Sequence, residues 1–506
     1  MRTRLARAAA PLALLVLPCA ALAQNVPDAN AQQYWGLMAR DQLATIAARD
    51  DAGPRLNAVI VAKDAATVAA EVAVAKDLPL QGRAVLVKDN IETREWPTTA
   101  GSLALKDNTT GRDAPLIARL RKAGGVVLGK TNLSEWANIR STSSTSGWSA
   151  VGGLTKNPHA IDRNACGSSS GSGAAVAAGM AWAAIGTETD GSVTCPASVN
   201  GIVGLKPTVG LVSRTYVVPI SVSQDTAGPM ARSVADAALL LNAIAGPDPA
   251  DAATARAATH MSDFTAGLDS ASLKGKRVGV LRKMVGNDTR VEKLFEAAVA
   301  DLKRAGAVVV PIDYEMPKEM GDAELTVLLY ELREGLGKYL KDSPASIPVR
   351  SLDDVIAFDK AHADEEMRWF RQELFEQAAK TTDAAAYKKA HDNNLRLAGR
   401  EGIDKLLAAN KVSLLLAPTV GPAWTTDLVN GDHYNGSIGA TSLAAIAGYP
   451  HLTVPMGAVE GLPVGLSFIG AKWSDHALLL AGAAYERART AKLPAPSLKP
   501  WAPAGE

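Results

Sequence analysis

The sequence has few of the residues that build metal sites or disulfide scaffolds. Its 506 residues include three cysteines and seven histidines. No two histidines have the His-x-His or His-Glu-x-x-His spacing of a zinc hydrolase. The formal net charge is +1, and no long run of one sign indicates a nucleic-acid partner. After the first residues, no stretch is apolar for long enough to span a bilayer. These absences argue against a zinc hydrolase, a nucleic-acid-binding protein and an integral membrane protein.

The first residues differ from the rest of the chain. Three arginines within the first seven residues precede an apolar stretch, 8–17, and small residues at Ala21 and Ala23 form a cleavage pattern. This order is typical of a secretory signal peptide, which is too short for a membrane span. We therefore expect residues 1–23 to be removed and the mature protein to be periplasmic or secreted. A buried N-terminal helix and a lipoprotein lipidated at Cys19 are the alternatives.

The remaining chain, 24–506, reads as one large α/β domain. Short apolar runs that suit buried strands alternate with helical segments, as in Ala65–Ala75, Ala84–Val87, Leu116–Lys122 and Gly125–Leu128. This order predicts a sheet with helices on both faces. The stretch of about 324–409 is highly charged and mainly helical in pattern, which predicts a helical insertion. The segment 141–173 is dense in Ser, Thr, Gly and Asn and is predicted to be largely loop.

Two loops combine glycine with hydroxyl side chains. The first, Gly167–Gly173, has the sequence GSSSGSG and leads into an alanine-rich helix. The second, Gly186–Ser192, places a serine after a glycine, and consecutive N–H groups over 189–192 are suited to an oxyanion hole. Either loop alone is also compatible with a flexible or anion-binding turn.

One sequence pattern favours an alternative function, phosphate binding. Gly129-Lys130-Thr131, with Gly124 as the first glycine, matches the P-loop expression. However, residues 125–128 read as a strand where a phosphate cradle requires a loop. Nucleotide binding is therefore disfavoured.

A different serine is also a candidate nucleophile. Gly167–Gly171 fits the Gly-x-Ser-x-Gly elbow with Ser169 at its centre, as in an α/β-hydrolase-like esterase. That motif follows a strand, and residues 157–164 contain a proline and charged residues, so we expect no strand there. His451 and Asp427 would complete a formal triad, although nothing in their local sequence singles them out.

Lys88 is a candidate base for a serine nucleophile. It ends the apolar run 84–87, where burial would lower its pKa and favour the neutral amine. Lysine acts as the base for serine in known variants of the catalytic triad. The alternative is a surface lysine paired with Asp89.

An ordered set of motifs resembles the amidase signature family. The set comprises VKDN at 87–90, GKTNLSE at 129–135, the two glycine-containing loops, GIVGLKPT at 201–208, QDTAGPM at 224–230 and GYPHLTVP at 448–455. It covers most of the mature chain, and the sequence around Trp136, Trp148 and Asp190 is most similar to the peptide amidase branch. The resemblance implies a large mixed central sheet wrapped by helices, hydrolysis of carboxylic amides, and no metal or organic cofactor.

The family's Ser-Ser-Lys triad carries over position by position. The resemblance implies that Lys88 is the base, that Ser168 relays a proton and is held by a cis peptide bond, and that Ser192 is the nucleophile. It further implies an oxyanion hole made by the N–H groups of Thr189, Asp190, Gly191 and Ser192.

Two positions depart from the common family pattern. Many members have glycine where this chain has Asp190, and arginine where it has Thr194. Because a carboxylate beside a developing oxyanion would be harmful, we expect Asp190 to turn outward and hydrogen-bond its own loop. Cys166 and Cys195 flank the two loops, and they either form a disulfide or are two small buried residues.

The sequence leaves the substrate open. Specificity is expected in the segments 141–148, 329–339 and 419–434, with Ser143 and Ser144 as candidate binding residues. Peptide C-terminal amides or small amides are the expected substrates. The remaining alternatives are an inactive binding protein and the glutaminase-type component of an amidotransferase. The predicted signal peptide argues against the amidotransferase, which is cytoplasmic.

Overall fold

The computed structural model describes residues 28–503. The predicted signal peptide and its cleavage site therefore lie outside the described residues. In chain order the strands are β1 (Val59–Ala62), β2 (Ala84–Lys88), β3 (Val126–Thr131), β4 (Trp148–Ser149), β5 (Gly153–Leu154), β6 (Lys156–Asn157), β7 (Ala160–Asn164), β8 (Ala183–Glu188), β9 (Val203–Lys206), β10 (Thr226–Ala231), β11 (Arg277–Leu281), β12 (Val308–Ile312), β13 (Leu414–Pro418), β14 (His451–Val459) and β15 (Leu462–Ile469).

Helices connect and cover these strands. They are α1 (Asp28–Ile46), α2 (Ala65–Ala75), α3 (Pro115–Lys122), α4 (Ser170–Ala177), α5 (Thr194–Val199), α6 (Val234–Ile244), α7 (Ala257–His260), α8 (Thr289–Arg304), α9 (Glu319–Asp342), α10 (Leu352–Ala361), α11 (Ala363–Glu366), α12 (Glu373–Lys380), α13 (Ala384–Asn394), α14 (Lys405–Asn410), α15 (Thr441–Ala447) and α16 (Asp475–Ala488). None of the helices between residues 28 and 503 is long and apolar enough to cross a bilayer.

One eleven-stranded sheet organises the molecule. Its spatial order is β1-β3-β2-β8-β10-β9-β14-β15-β13-β11-β12. The pairs β2–β3, β2–β8, β11–β12 and β11–β13 are parallel, and the remaining pairs are antiparallel. The sheet is therefore mixed, which confirms the predicted fold class.

Helices pack on both faces of this sheet. Side chains alternate along β14, so Leu452 and Val454 lie against Gly482 of α16, while Thr453 points to the opposite face, where Ser198 of α5 lies. Helices α6 and α8 contact α16 on its side of the sheet, and α4 contacts α5 on the other. Both faces of the central strands are thereby buried, which explains why their sequences are almost continuously apolar.

The parallel pairing of β2 with β8 determines where the polar loops meet. Val85, Leu86 and Val87 pair in register with Ala183, Ala184 and Ile185. The carboxyl ends of neighbouring parallel strands lie at the same edge of a sheet. Lys88, at the end of β2, and the turn that follows Glu188 therefore emerge side by side.

The structure corrects the prediction for residues 157–164. Ala160–Asn164 forms strand β7, which pairs antiparallel with β6 in a two-stranded ribbon outside the main sheet. Pro158 lies in the turn between the two strands, where its missing N–H removes no ladder bond. Asp162 is exposed on the ribbon. A proline and charged residues exclude a central strand, but they are compatible with such an edge ribbon.

Several segments contain more regular structure than the sequence predicted. Helix α4 begins at Ser170, inside the segment predicted to be loop, and α5 begins at Thr194. Strand β3 continues through Thr131. Between β12 and β13 the chain from Glu319 to Asn410 is mainly helical: non-helical links separate α9 to α13, and the π-helical segment Leu395–Asp404 joins α13 to α14 without a break.

Candidate active site

Lys88 is completely buried at the end of β2. Its Nζ lies 2.7 Å from Ser168 Oγ, 2.8 Å from Thr187 Oγ1 and 3.3 Å from the Thr187 carbonyl oxygen. Burial lowers the pKa of Lys88 to about 7, while the charges of Asp225 and Glu188 act in the opposite direction. A neutral amine has two N–H donors and one lone pair. These match the two Thr187 oxygens and the Ser168 hydroxyl, so the surroundings suit the neutral form.

Asp89, the acidic residue next to Lys88 in the sequence, does not form an ion pair with it. Asp89 forms an ion pair with Lys130, at 3.0 Å. Lys130 also donates to the Ile91 carbonyl and to Thr98 Oγ1. The Gly-Lys-Thr tripeptide thus lies within a buried strand with its lysine already bonded, so it forms no phosphate cradle.

Ser168 lies in the first glycine-containing loop and is fully buried. The Gly167–Ser168 peptide bond is cis, as the family resemblance implies. The Ser134 N–H donates to the Ser168 carbonyl at 3.0 Å, and Ser134 Oγ accepts from the Gly147 N–H at 2.9 Å. A Cβ at position 167 would lie 2.1 Å from Ser134 Oγ, so the close approach of these segments requires glycine there.

Ser192 lies in the turn between β8 and α5, and 8% of its surface is exposed. Its carbonyl accepts from the Ser169 N–H at 3.1 Å, which joins the two glycine-containing loops. Glu188 Oε2 accepts from the N–H groups of Val193 and Thr194 at 2.8 and 2.9 Å. Glu188 therefore links the end of β8, which precedes Ser192, to the start of α5, which follows it.

The turn before Ser192 presents unpaired backbone donors. Within residues 28–503, the N–H groups of Asp190, Gly191 and Ser192 donate no hydrogen bond to another protein group. Gly191 has a φ of 77°, a conformation that favours glycine. Consecutive free N–H groups beside a serine hydroxyl are the geometry required to bind an oxyanion.

Among the described residues 28–503, the Asp190 carboxyl forms no hydrogen bond with its own loop, and its Oδ1 has no hydrogen-bond partner. Burial raises the pKa of Asp190 to about 6, while the Ser442 and Thr441 hydroxyls at the start of α15 act in the opposite direction. The prediction that Asp190 bonds its own loop is therefore wrong.

Segment 220–225 holds the turn from the other side. Thr189 Oγ1 donates to Asp225 Oδ1 at 2.6 Å, and Gln224 Nε2 donates to the Thr189 carbonyl at 3.3 Å. Asp225 Oδ2 accepts from the N–H groups of Ile220 and Ser221. Burial raises the pKa of Asp225, while its hydrogen bonds favour the charged form.

The alternative nucleophile Ser169 is bonded elsewhere. It is fully buried, its Oγ donates to the Thr187 carbonyl at 3.0 Å, and it accepts from the Thr187 N–H at 3.2 Å. His451 is hydrogen-bonded to Ser467, and burial lowers its pKa to about 3. Asp427 caps the N–H groups of its own loop. Ser169, His451 and Asp427 therefore form no hydrogen bonds with one another.

Cys166 and Cys195 form a disulfide. Cys166 immediately precedes the Gly167–Ser168 bond, and Cys195 lies in the first turn of α5, three residues after Ser192. The disulfide packs against Val199 and Trp424 in a small apolar cluster. It links the two glycine-containing loops covalently.

Two of the three predicted specificity segments lie against each other. In segment 141–148, Thr145 Oγ1 donates to the Asp427 carbonyl, and Ser146 donates from both its N–H and its hydroxyl to Asp432. Ser143 is exposed, whereas Ser144 is buried and donates to Asn138. The third segment lies on α9, where Leu329 and Tyr339 are buried.

Sequence reasoning did not single out Thr187, Glu188, Gln224 or Asp225 as parts of the site. All four belong to the motifs that carry the family resemblance, but their roles depend on which strands are neighbours. Within the described range 28–503, no three His, Cys, Asp or Glu side chains are arranged to hold a metal ion.

Comparison with known proteins identifies relatives across almost the whole chain. The family model described as Amidase matches residues 43–479. An Arabidopsis thaliana protein named a probable amidase is 39% identical over 459 residues, covering 87% of this chain and 85% of that protein. A component of the glutamyl-tRNA(Gln) amidotransferase from Halobacterium salinarum is 35% identical over 422 residues, covering 82% and 97% respectively.

The fold comparison agrees with the sequence comparison. The structure of native peptide amidase from Stenotrophomonas maltophilia superposes with a TM-score of 0.85 at 48% identity. The match covers 92% of this chain and 96% of that chain.

Proposed function

We propose, from the premise that this chain belongs to the amidase family and is a hydrolytic amidase, that it cleaves carboxylic amides through an acyl-enzyme on Ser192. The observation that carries this proposal is the 2.7 Å contact between Lys88 Nζ and Ser168 Oγ, in a loop bonded to the Ser192 turn. Lys88 is the base, Ser168 the relay and Ser192 the nucleophile.

The proposed reaction begins with proton transfer. Neutral Lys88 takes the Ser168 proton as Ser168 takes that of Ser192, and Ser192 Oγ attacks the amide carbon. The oxyanion binds the N–H groups of the turn 189–192. The relayed proton then passes to the leaving nitrogen, so ammonia or an amine departs as the C–N bond breaks. Water hydrolyses the resulting ester by the same relay.

The proton relay and the oxyanion hole each contribute an expected factor to the rate. General-base transfer contributes roughly 10²–10⁴-fold to the rate, and an oxyanion-hole donor contributes about 10²–10³-fold. The low pKa of Lys88 makes the relay effective near neutral pH, because a large fraction of the amine is then neutral.

We further propose peptide C-terminal amides as the substrates, with small amides as the alternative. The 48% identity to peptide amidase over almost the whole of both chains favours this class. The test is ammonia or amine release by the mature protein from a panel of peptide amides, the matching free peptides and simple amides. Fast release from peptide amides alone is expected. Release only from simple amides would reject this substrate class.

A second candidate is release of ammonia from glutamine for amidotransfer. It is favoured by the 35% identity to the amidotransferase component. Including free glutamine in the same panel separates the two, because a glutaminase would prefer it to peptide amides.

We also propose that the protein is exported after cleavage before Gln24. The support is the N-terminal sequence pattern. N-terminal sequencing of protein recovered from the periplasm or medium tests this proposal, and an intact Met1 would contradict it.

A further inference from the structure

We propose that Glu331, on α9, is a positioning residue for the oxyanion turn 189–192: it anchors segment 220–225, which in turn holds Thr189. This inference rests on the proposed role of the turn 189–192 in amide hydrolysis. It assigns part of the helical region between β12 and β13 to the machinery that shapes that turn.

Glu331 is a buried acid whose two carboxylate oxygens both accept hydrogen bonds. Its Oε2 accepts from the Ser221 hydroxyl, from the Ser223 N–H at 3.0 Å and from the Ser223 hydroxyl at 2.9 Å. Its Oε1 accepts from the Tyr387 hydroxyl of α13 at 2.7 Å. Only 3% of the residue's surface is exposed, so these donors replace the water that a carboxylate otherwise binds.

Segment 220–225 is a turn with an exposed tip. The Asp225 N–H donates to the Ser221 carbonyl at 3.0 Å, which closes the turn. Val222, at its tip, is 64% exposed. An exposed tip gains little from packing, so the position of the turn depends on the hydrogen bonds at its base. Glu331 provides the acceptor for these bonds on both sides of the tip.

Segment 220–225 reaches the oxyanion turn through two side chains. Asp225 Oδ1 accepts from the Thr189 hydroxyl at 2.6 Å, and Gln224 Nε2 donates to the Thr189 carbonyl at 3.3 Å. Both residues follow directly after Ser223 in the chain. A shift of Ser223 away from α9 therefore moves both of the groups that hold Thr189.

The helices behind Glu331 are packed against each other. The ring of Tyr330, next to Glu331, stacks on the ring of Tyr387, with the centroids 4.3 Å apart. Seven residues before Glu331, on the same face of α9, Glu324 Oε1 accepts from Gln224 Nε2 at 2.8 Å. Helix α9 therefore holds the segment at two points, about two helical turns apart.

Loss of the Glu331 carboxylate has a defined consequence for catalysis. The Ser221 and Ser223 donors would then bind water, and the segment would lose its fixed position together with the N–H groups of residues 190–192. These N–H groups act on an oxyanion that is present only in the transition state and the tetrahedral intermediate. We therefore expect kcat to fall while KM for a neutral amide changes little, because the ground state carries no oxyanion.

The first test compares Glu331→Ala and Glu331→Gln with the control Glu319→Gln. Glu319 lies on the same helix and is exposed. For each variant, kcat and KM are measured on a neutral peptide amide, and thermal unfolding shows whether the variant is folded. The rate at which a fluorophosphonate labels Ser192 is measured in parallel, since it reports the oxyanion turn without amide turnover.

The conservative variant should rescue the function. Glu331→Ala should lose kcat and the labelling rate by about 10–100-fold, less than a complete oxyanion-hole donor contributes, with KM within about threefold of the wild type. In Glu331→Gln the amide oxygen accepts from the two serines, and the amide nitrogen donates to the Tyr387 hydroxyl oxygen. This variant should therefore keep kcat within about threefold, and Glu319→Gln should follow the wild type.

A second comparison separates positioning from a general loss of structure. Thr189→Val removes the hydroxyl that donates to Asp225. If Glu331 acts through Thr189, the double variant Thr189→Val/Glu331→Ala should keep about threefold or more of the kcat that the product of the two single losses predicts. Effects that are independent of each other would multiply.

Three results would overturn the inference. They are a folded Glu331→Ala variant with the kcat of the wild type, a Glu331→Gln variant as impaired as Glu331→Ala, and single losses that multiply fully in the double variant. If Glu331→Ala does not fold, Ser221→Ala combined with Ser223→Ala removes the two hydroxyl donors from the turn instead. The same loss of kcat is then expected, and an unchanged kcat would overturn the inference.

The labelling rates distinguish a failure of this inference from a failure of the proposed function. If the wild type cleaves no amide but Ser192 is labelled, the proposed substrates fail and the labelling rates decide on Glu331. If the wild type neither cleaves amides nor is labelled at Ser192, the proposed site and this inference fail together.

Discussion

The acid limb of the pH profile tests the proposed role of Lys88. The free amine must accept a proton, so activity requires the neutral form and is lost as the pH falls. Because burial lowers the pKa of Lys88 to about 7, kcat/KM should fall about tenfold per pH unit below neutrality. Two units below that pKa, roughly 1% of the maximum should remain.

The assay is ammonia release from a peptide amide between pH 5 and 9, with circular dichroism at each pH to show that the protein stays folded. Lys88→Ala should lose about 10²–10⁴-fold in kcat/KM and should lose the limb as well. A rate that still rises tenfold per pH unit up to pH 9, as expected for the ordinary lysine pKa of 10.5, would contradict the buried neutral amine. An unchanged profile in Lys88→Ala would refute its role as base.

Three further predictions concern the supports of the site. Replacing Cys166 and Cys195 with serine opens a loop with a sequence separation of 29 and should lower the free energy of unfolding by about 3–4 kcal/mol in urea titrations; a loss below about 1 kcal/mol would contradict this. Gly171→Ala places a Cβ 2.2 Å from the Ala58 carbonyl oxygen and should lower Tm. The control Gly321→Ala, in open space on α9, should leave Tm unchanged or raise it. Similar Tm shifts in both variants would refute the close-approach argument. Glu188→Gln weakens charged hydrogen bonds of about 1.5–3 kcal/mol and should reduce kcat/KM about 10–100-fold with folding retained; wild-type kinetics would show that Glu188 does not position Ser192.

The order of strands and helices was predictable because the signals are local. Helix α2 begins and ends where its pattern predicts, since Asp64 caps the N–H groups of Ala66 and Thr67. Strand β2 is a buried apolar run. Strand β7 was not predictable in this way, because it is an edge ribbon whose partner β6 is only two residues long.

Site residues that belong to a sequence motif were predictable from the sequence. Residues that only the packing of distant strands and helices brings together were not. Lys88 was a candidate base from its position after an apolar run, and Ser168 was identified from the family resemblance. Their contact depends on the parallel pairing of β2 with β8. The side chains that lower the pKa of Asp190 are Ser442 and Thr441 of α15 and Glu324 of α9, more than a hundred residues away along the chain. No local pattern predicts which distant hydroxyl or carboxyl group a side chain will reach, so the expectation for Asp190 was wrong.

The central claim is that Ser192 forms the covalent intermediate. The most direct measurement is peptide mapping by mass spectrometry after treatment with a fluorophosphonate, for the wild type and for Ser192→Ala and Ser169→Ala. Ser192 is slightly exposed beside free N–H donors, whereas Ser169 is buried and bonded to Thr187. We predict a single adduct on Ser192 that is lost in Ser192→Ala and retained in Ser169→Ala. An adduct on Ser169, or labelling that persists in Ser192→Ala, would contradict the account.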